Sequence, residues 1–262
     1  MNLDVETAVV ILAAGQGTRM GSDIPKALTI LNGKPFIEHV LDAVAQARVR
    51  SKPIVVVSPL NNFLIGEAVG DRCYYATQHE PKGTGDAVKS ALDHVASSVQ
   101  QVLVLYADHP LVKSSTIERL ALTQAAEAAN GSLAVTMGVC QLPDFKDSRR
   151  AFVHFGRVVR SSDGAIARIV EYQEADDETR ALLEVNPAYY CFNADWLRSA
   201  LQRLRPHNRS NGKEEYFLTD AIGLLVEEGG VIAETPASST EALGINCPEE
   251  LLLAEEAISS LV

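Results

Sequence analysis

A glycine-containing turn with two cations behind it is the segment best suited to hold phosphate. Gly15 and Gly17 directly follow an apolar run, and Arg19 and Lys26 come soon after. Glycine lets the backbone approach a ligand and offer N–H groups to anionic oxygens, and arginine adds a fork of donors. Neither a P-loop nor a dinucleotide fingerprint applies, since Met20 replaces the last glycine of the latter. Arg19 and Lys26 could bracket a triphosphate; the alternatives are a tight turn and a solvated lysine.

A carboxylate follows a second apolar run. Asp108 comes directly after the predicted strand 102–106 and Ala107. In an open α/β sheet, ligands bind at the carboxyl ends of the strands. Mg²⁺ takes one or two protein oxygens and completes its shell with substrate phosphates. Asp108 therefore predicts a magnesium site, and a turn cap before Pro110 is the alternative. We expect His109 to pack or to face solvent, because Mg²⁺ prefers oxygen ligands.

The elements that must position these residues alternate between strands and helices. Apolar runs predict strands at 7–14, 53–57, 73–77, 102–106 and 133–137. Helical spacing of apolar residues predicts helices from Pro35, from Gly83 and over 114–129. The alternation predicts an α/β fold, a Rossmann-like doubly wound mixed sheet with its ligands at the strand ends.

The pattern changes after about residue 140. Short strands are predicted at 152–155, 157–160, 166–172 and 189–192, followed by a helix from Asp195, a loop over 205–213 and a helix over 248–261. This half predicts a β-rich lobe added to the same sheet. We therefore expect one domain over residues 1–262.

Composition restricts the partners of the chain. It has 23 Lys+Arg and 34 Asp+Glu, a net charge of −11, which disfavours nucleic acid. A local cationic site still suits an anionic small molecule. Apolar runs fall far short of the ~18 residues of a membrane helix, and the acidic start lacks a signal peptide. The scattered cysteines (Cys73, Cys140, Cys191 and Cys247) suit buried thiols. We expect a cytoplasmic location, with no membrane or nucleic-acid partner; the oligomeric state stays open.

An ordered set of segments carries a family resemblance. The set comprises 12–20, Pro25-Lys26, Gln78 with 83–85, 106–108, 155–157, 170–171, 184–186, 215–220 and 244–246. Over about residues 8–255 the chain resembles the sugar-1-phosphate nucleotidyltransferases. Within them it is most similar to the uridylyltransferase (pyrophosphorylase) domain of bacterial N-acetylglucosamine-1-phosphate uridylyltransferases.

The resemblance implies a role for each segment. The nucleotide-binding residues would be Ala13, Ala14, Gly15, Gly17, Thr18, Gln78, Gly83 and Thr84. The catalytic residues would be Arg19, Lys26 and Asp108, the first two on the triphosphate. The Mg²⁺ ligands would be Asp108 and Asn246, and the sugar contacts Gly156, Glu171 and Asn186. Residues of about 1–140 would form the nucleotide-binding half and about 141–262 the sugar-binding half, without a left-handed β-helix acetyltransferase domain.

The implied reaction joins UTP and N-acetylglucosamine-1-phosphate into UDP-N-acetylglucosamine and pyrophosphate, a step toward cell-wall precursors. The chain departs from the family pattern at Ala107, Asp86, Gln173, Ala188 and Cys247. The sugar end departs most from that pattern. Ala188 adds a methyl group where the family backbone approaches the sugar. A different sugar phosphate or nucleotide, such as CTP or dTTP, and a catalytically weak nucleotide-sugar binding protein therefore stay as alternatives.

Overall fold

Alternating strands and helices build the first half of the chain. The structure is a computed structural model that describes residues 5–21, 24–49, 51–131, 134–208 and 212–259, without the side chains of Thr18 and Ala134. The strands of this half are β1 (Thr7–Leu12), β2 (Ile30–Leu31), β3 (Lys34–Pro35), β4 (Ile54–Val57), β5 (Tyr74–Thr77), β6 (Gln101–Tyr106) and β7 (Ala134–Gln141). The helices are α1 (Phe36–Gln46), α2 (Asn62–Val69), α3 (Thr84–Leu92) and α4 (Ser114–Ala129).

Shorter elements follow in the second half. The strands are β8 (Arg157–Arg160), β9 (Ile166–Val170), β10 (Glu184–Val185), β11 (Tyr190–Asn193), β12 (His207–Asn208), β13 (Glu214–Glu215) and β14 (Val231–Pro236). The helices are α5 (Asp177–Arg180), α6 (Ala194–Arg203), α7 (Asp220–Glu227) and α8 (Pro248–Ser259). Within the described ranges, no helix has the length and apolar character needed to cross a membrane.

A large mixed sheet forms the centre of the fold. Its strand order is β5-β4-β1-β6-β11-β7-β10-β8-β9, and β14 pairs with β7. The strands β5, β4, β1 and β6 are parallel, whereas β11 runs antiparallel to both β6 and β7. The chain leaves β1 toward β4 on one side and returns to β6 on the other. The crevice between the ends of β1 and β6 is thus a topological switch point, where such sheets bind ligands.

Apolar side chains fill both faces of the sheet. In β1, Ala8 and Val10 belong to one buried cluster, and Val9 and Ile11 belong to the other. Helices α3, α6 and α7 supply residues to the first cluster, and α1 and α4 to the second. Burial on both faces explains why β1 is a continuous apolar run rather than an alternating one. The predicted doubly wound fold is confirmed.

Two predicted segments of the lobe, the strand 152–155 and the loop 205–213, differ in the structure. The predicted strand 152–155 is wrong, because this segment ends a 3₁₀ helix over Asp147–Phe152 and then turns. Phe152 and Phe155 pack with ring centroids 4.9 Å apart, since residues three apart lie on the same side of a 3₁₀ turn. The loop 205–213 contains β12, which pairs with β13; residues 209–211 lie outside the described ranges.

Nine of the strands and helices given above were not predicted. They are β2, β3, α2, α5, β10, β12, β13, α7 and β14. The parallel pairing of β14 with β7 is long-range, over Val231–Pro236 against 134–139, and no local sequence pattern predicts it.

Of the cysteines, Cys73, Cys140 and Cys191 are buried free thiols and Cys247 is half-buried.

Candidate active site

The ends of β1 and β6 bring the glycine turn beside Asp108. The Ala13 amide donates to the Val56 carbonyl at 2.9 Å, and the Ala107 amide donates to the Leu12 carbonyl at 3.0 Å. A small cleft of about 40 Å³ lies between them, and its walls include Gly15, Lys26 and Asp108. Residues separated by some ninety positions in the sequence thus share one crevice at the switch point.

Close packing against Lys26 shapes the glycine turn. Gly17 has φ +64°, and a Cβ added there would lie 2.5 Å from the Lys26 Cβ. A side chain at Gly17 would therefore be strained and would displace Lys26. Gly15 is exposed, and a Cβ added to it would meet no atom within 4 Å in the described structure. Ala14 is half-buried between the two supported ends of the turn, and the Thr18 side chain lies outside the described part.

Asn61 supports the turn from below, and sequence reasoning missed it. Its side-chain Nδ2 donates to the Ala13 carbonyl at 2.9 Å, and its Oδ1 accepts from the Ser58 amide at 2.8 Å. Asn61 is buried at 3% exposure, so both bonds are shielded from water. The available signal was an asparagine in the turn after a predicted strand, a residue type that bonds to nearby backbone.

Lys26 joins the two predicted metal ligands. Its Nζ forms an ion pair with Asp108 Oδ2 and donates to Asn246 Oδ1 at 2.7 Å. The Nη2 of Arg19, an exposed residue, donates to the same Asn246 oxygen at 3.2 Å. Burial raises the pKa of Asp108, but the charge of Lys26 and the bond from His109 outweigh it and hold that pKa well below its usual range. Asp108 is therefore ionised at neutral pH.

The backbone after Gly244 carries Asn246 to this point. The Ile245 amide donates to the Asp108 carbonyl at 2.9 Å, and the Asn246 amide donates to Glu250. The Asp108 carboxylate and the Asn246 amide oxygen therefore converge on one positive charge, the ammonium of Lys26. The described part of the chain holds no group of three or more His, Cys, Asp or Glu side chains arranged for a metal. One or two protein oxygens suffice for Mg²⁺ when phosphates complete the shell, so this pair could hold it.

His109 packs, as expected, and also contacts Asp108. Its Nδ1 lies 3.0 Å from Asp108 Oδ1, and its ring stands edge-on to Tyr106, Phe155 and Tyr189. A Cβ at Gly244 would come within 2.8 Å of its Nε2. The carboxylate is thus held through both oxygens, by His109 on one side and by Lys26 on the other.

The predicted base-binding residues form a second group at the end of β5. Gln78 is buried at 7% exposure, and its Nε2 donates to the Gly83 carbonyl at 3.0 Å. A Cβ at Gly83, where φ is +92°, would lie 2.5 Å from the Tyr216 carbonyl oxygen. The Thr84 hydroxyl accepts from the Leu218 amide at 3.0 Å. The Thr84 side chain therefore supports the loop.

The three predicted sugar contacts also lie together. The backbone amide of Asn186 donates to the Gly156 carbonyl at 2.9 Å. A Cβ at Gly156 would lie 3.8 Å from Glu171 Oε2. Glu171 Oε1 accepts from the Thr219 hydroxyl at 3.0 Å. Asn186 is buried, donates to the Tyr190 hydroxyl and accepts from the Ala188 amide. Within the described residues, the side-chain amide of Asn186 thus keeps one N–H and one lone pair that no hydrogen bond uses.

We expect Ala188→Gly to raise the free energy of unfolding by about 0.5–1 kcal/mol. Ala188 has φ +60°, a left-handed conformation that costs an L-residue about 1–2 kcal/mol, less the entropy that glycine adds to the unfolded chain. Urea denaturation measures the change. Ala181→Gly is the matched control, because Ala181 has φ −75° and its replacement should be destabilising. If Ala188→Gly destabilises the protein as much as Ala181→Gly does, the Ala188 backbone is not strained.

A histidine held by two carboxylates lies behind this region and was also missed. His207 Nδ1 is 2.9 Å from Glu174 Oε1, and Nε2 is 2.8 Å from Asp220 Oδ2. Burial lowers the pKa of His207, but Asp220 and then Glu174 outweigh it and raise that pKa above its usual value. Asp220 begins α7 directly after Thr219, the residue that contacts Glu171. The cluster therefore ties β12 to the candidate sugar site.

This cluster predicts a pH-dependent stability. Because the folded pKa of His207 is raised, its contribution is complete below the usual imidazole pKa and is lost as pH rises through the raised value. Thermal unfolding of wild type and His207→Gln between about pH 6 and pH 9 spans that range. At the acid end the wild type should have a higher melting temperature than His207→Gln. At the alkaline end the difference between the two melting temperatures should disappear. A gap that stays constant over the range would show that the imidazolium charge contributes nothing.

Comparison with known proteins decides the family. Residues 9–213 match the MobA-like NTP transferase domain, which is well over half of the chain. The chain belongs to the MobA-like NTP transferase family. The glycine turn, Lys26 and Asp108 lie inside the matched span, and Asn246 lies beyond it.

Relatives of this MobA-like NTP transferase include larger proteins. The bifunctional protein GlmU of Heliobacterium modesticaldum is 37% identical over 247 residues, 94% of this chain and 50% of that protein. The chain thus spans about half the length of the curated relatives it matches. Among solved structures, the uridine diphosphate N-acetylglucosamine pyrophosphorylase of Trypanosoma brucei aligns with a TM-score of 0.67 at 17% identity, covering 95% of this chain and 64% of the other. A candidate glucose-1-phosphate thymidylyltransferase of Bacillus anthracis gives 0.68 at 16%, covering 96% and 94%. These structures share the fold.

Proposed function

We propose that this nucleotidyltransferase moves a uridylyl group from UTP to N-acetylglucosamine-1-phosphate and releases pyrophosphate. The observation that carries the proposal is the convergence of Arg19, Lys26, Asp108 and Asn246 at the switch point of the sheet. A site that only binds a nucleotide sugar has no need of two cations and two metal-type oxygens in one crevice. The uridine diphosphate N-acetylglucosamine in the name of one structural neighbour agrees with the nucleotide and sugar that the sequence resemblance implies, whereas the other neighbour is named for glucose-1-phosphate and a thymidylyl group.

Charge neutralisation is the main catalytic task in this proposal. A phosphomonoester has a second pKa of about 6, so the attacking oxygen is already anionic near neutral pH. No general base is needed, and catalysis consists of positioning two polyanions in line. Lys26 and Arg19 would offset the repulsion between them, and Gly15 of the glycine turn lines the same crevice, where its backbone amide could add a donor. The wild-type turn can approach phosphate closely because neither Gly15 nor Gly17 carries a side chain.

Asp108 and Asn246 would hold a divalent cation, most simply Mg²⁺. Their oxygens already meet at one cation, the Lys26 ammonium, which is the test of fit that this structure offers. When bound, the metal would polarise phosphate oxygens and neutralise developing charge. Asp108 supplies the negative ligand, Asn246 supplies an oxygen without a second charge, and His109 orients the carboxylate.

The division into a nucleotide half and a sugar half belongs to the same proposal. Residues of about 1–140 would bind UTP, and Gly156, Glu171 and Asn186 from the later half would bind the sugar phosphate. Ala188 favours one further candidate, transfer to a different sugar phosphate, since its methyl group and left-handed backbone adjoin Asn186. The expected setting is the cytoplasm, where both substrates are made available.

Pyrophosphate release from a panel of nucleoside triphosphates and sugar-1-phosphates tests the proposal. UTP with N-acetylglucosamine-1-phosphate and Mg²⁺ should give the highest kcat/KM, and omission of the metal should abolish turnover. A higher value with another sugar phosphate would replace the substrate but keep the reaction. If no pair releases pyrophosphate while nucleotide sugars bind, the chain is a binding protein.

A further inference from the structure

The amide of Gln78 has both of its donors occupied. Nε2 donates to the Gly83 carbonyl at 3.0 Å and to Asp86 Oδ2 at 2.8 Å. A glutamine amide has two N–H donors and one carbonyl acceptor with two lone pairs. Within the described structure, Oε1 of Gln78 has no hydrogen-bond partner. Gln78 therefore has only an acceptor left to offer a ligand.

The two partners determine which way the amide faces. Both are acceptors, a backbone carbonyl and a carboxylate. An amide turned over would place Oε1 against two other oxygens, with no proton between them, and would leave buried polar atoms unpaired. The Gln78 orientation is thus imposed by its surroundings, and the charged partner, Asp86, imposes most of it, since hydrogen bonds to ionised groups are the stronger ones.

The partners are themselves held rigidly. The Tyr216 carbonyl accepts from the Gly85 amide at 2.8 Å, and the Tyr216 amide donates to the Lys82 carbonyl at 2.8 Å. Asp86 lies in the first turn of α3, where a carboxylate is favoured by the helix dipole. The backbone amide of Gln78 anchors the residue by donating to the Val57 carbonyl at 2.8 Å. Rotation of the Gln78 side-chain amide would break its hydrogen bonds to Gly83 and Asp86 at once.

We propose that Asp86 determines base specificity by making Gln78 present its carbonyl oxygen to the nucleobase. The inference rests on the proposed function, since it takes the end of β5 as the base site. The Gln78 carbonyl oxygen selects a base that has an N–H donor at the position facing it. Uracil and thymine carry N3–H there, whereas cytosine carries a lone pair at N3, and two facing lone pairs repel.

Asp86 acts through Gln78 and is a positioning residue. Removing it leaves one acceptor, the Gly83 carbonyl, and lets the amide turn so that Nε2 can donate to cytosine N3. The preference for uracil over cytosine should then fall by about tenfold to a hundredfold, the value of one hydrogen bond to a charged group.

Calorimetric titration with UTP, CTP and N3-methyl-UTP in the presence of Mg²⁺ tests the proposal on the intact chain. Wild type should bind UTP best and should bind N3-methyl-UTP, which lacks the N–H donor, several-fold more weakly. Asp86→Ala should narrow the ratio of UTP to CTP affinity. Asp86→Asn keeps a neutral acceptor for Nε2 of Gln78 and should restore part of that ratio. Asp93→Ala, an exposed acid at the end of the same helix, is the control and should leave it unchanged.

The outcomes separate this inference from the function it rests on. If wild type binds none of the three nucleotides, the proposed function fails and the inference fails with it. If wild type binds UTP but binds N3-methyl-UTP equally well, or if Asp86→Ala keeps the full wild-type ratio, the inference alone is overturned. Far-UV circular dichroism and thermal midpoints establish that each variant is folded, and Asp86→Asn gives a second reading should Asp86→Ala unfold.

Discussion

Asp108→Asn should abolish most metal-dependent pyrophosphate release while leaving the fold intact. Loss of even an outer partner of a metal ligand costs about 10–100-fold in affinity or activity, so loss of the charged ligand should cost at least about 100-fold. The asparagine keeps one oxygen that can accept from Lys26, but its Nδ2 takes the place of the oxygen beside His109, and the substitution removes the only charge that Asp108 supplies to a cation. Steady-state pyrophosphate release over a series of Mg²⁺ concentrations measures the effect.

A matched substitution separates this loss from a general effect of charge. Asp177→Asn makes the same chemical change at a fully exposed position of α5, and its turnover should equal that of wild type. Higher Mg²⁺ concentration should recover part of the activity of Asp108→Asn through KM for the metal rather than through kcat. Unchanged turnover in Asp108→Asn would remove Asp108 from the metal role and would require another ligand beside Asn246.

Local patterns in the sequence were enough to predict the main strands and helices in the first half of the chain. Continuous apolar runs identified β1, β4 and β6 because strands buried on both faces must be apolar throughout. Strand order and parallel pairing then placed the glycine turn and Asp108 at the same edge. By contrast, the 152–155 segment was misread, since two phenylalanines three residues apart suit either a short strand or a 3₁₀ turn.

The fine structure of the site depends on contacts that no local pattern contains. Lys26 and Asn246 are 220 positions apart. The family resemblance, and not any rule of residue spacing, predicted that they belong to the same site. Asn61, His109 and His207 owe their roles to partners from other elements. A buried amide or imidazole can be recognised as a support only after its neighbours are known, because its residue type alone fits many surroundings.

Lys26→Met is the prediction with the second largest effect, and it separates two tasks of one side chain. Lys26 contacts both candidate metal ligands, yet its position beside the glycine turn also suits the triphosphate. Both tasks cannot be served at once, since a divalent cation on Asp108 and Asn246 would repel the ammonium. If the proposed metal site is correct, Lys26 should compete with the metal in the free protein and be released toward the phosphates in the complex.

The substitution should thus move two measurements in opposite directions. Methionine keeps the unbranched side chain but removes the charge, so Lys26→Met should bind Mg²⁺ more tightly than wild type when no nucleotide is present. Its pyrophosphate release should nevertheless fall by about 10²–10³-fold, as when one preorganised donor to transition-state charge is lost. Calorimetry with Mg²⁺ alone and steady-state kinetics give the two values. Lys34→Met, which removes a partly exposed ion pair with Asp42, should change neither. Weaker metal binding in Lys26→Met would mean that the lysine supports the metal ligands instead of competing for them, and equal turnover would exclude Lys26 from the triphosphate site.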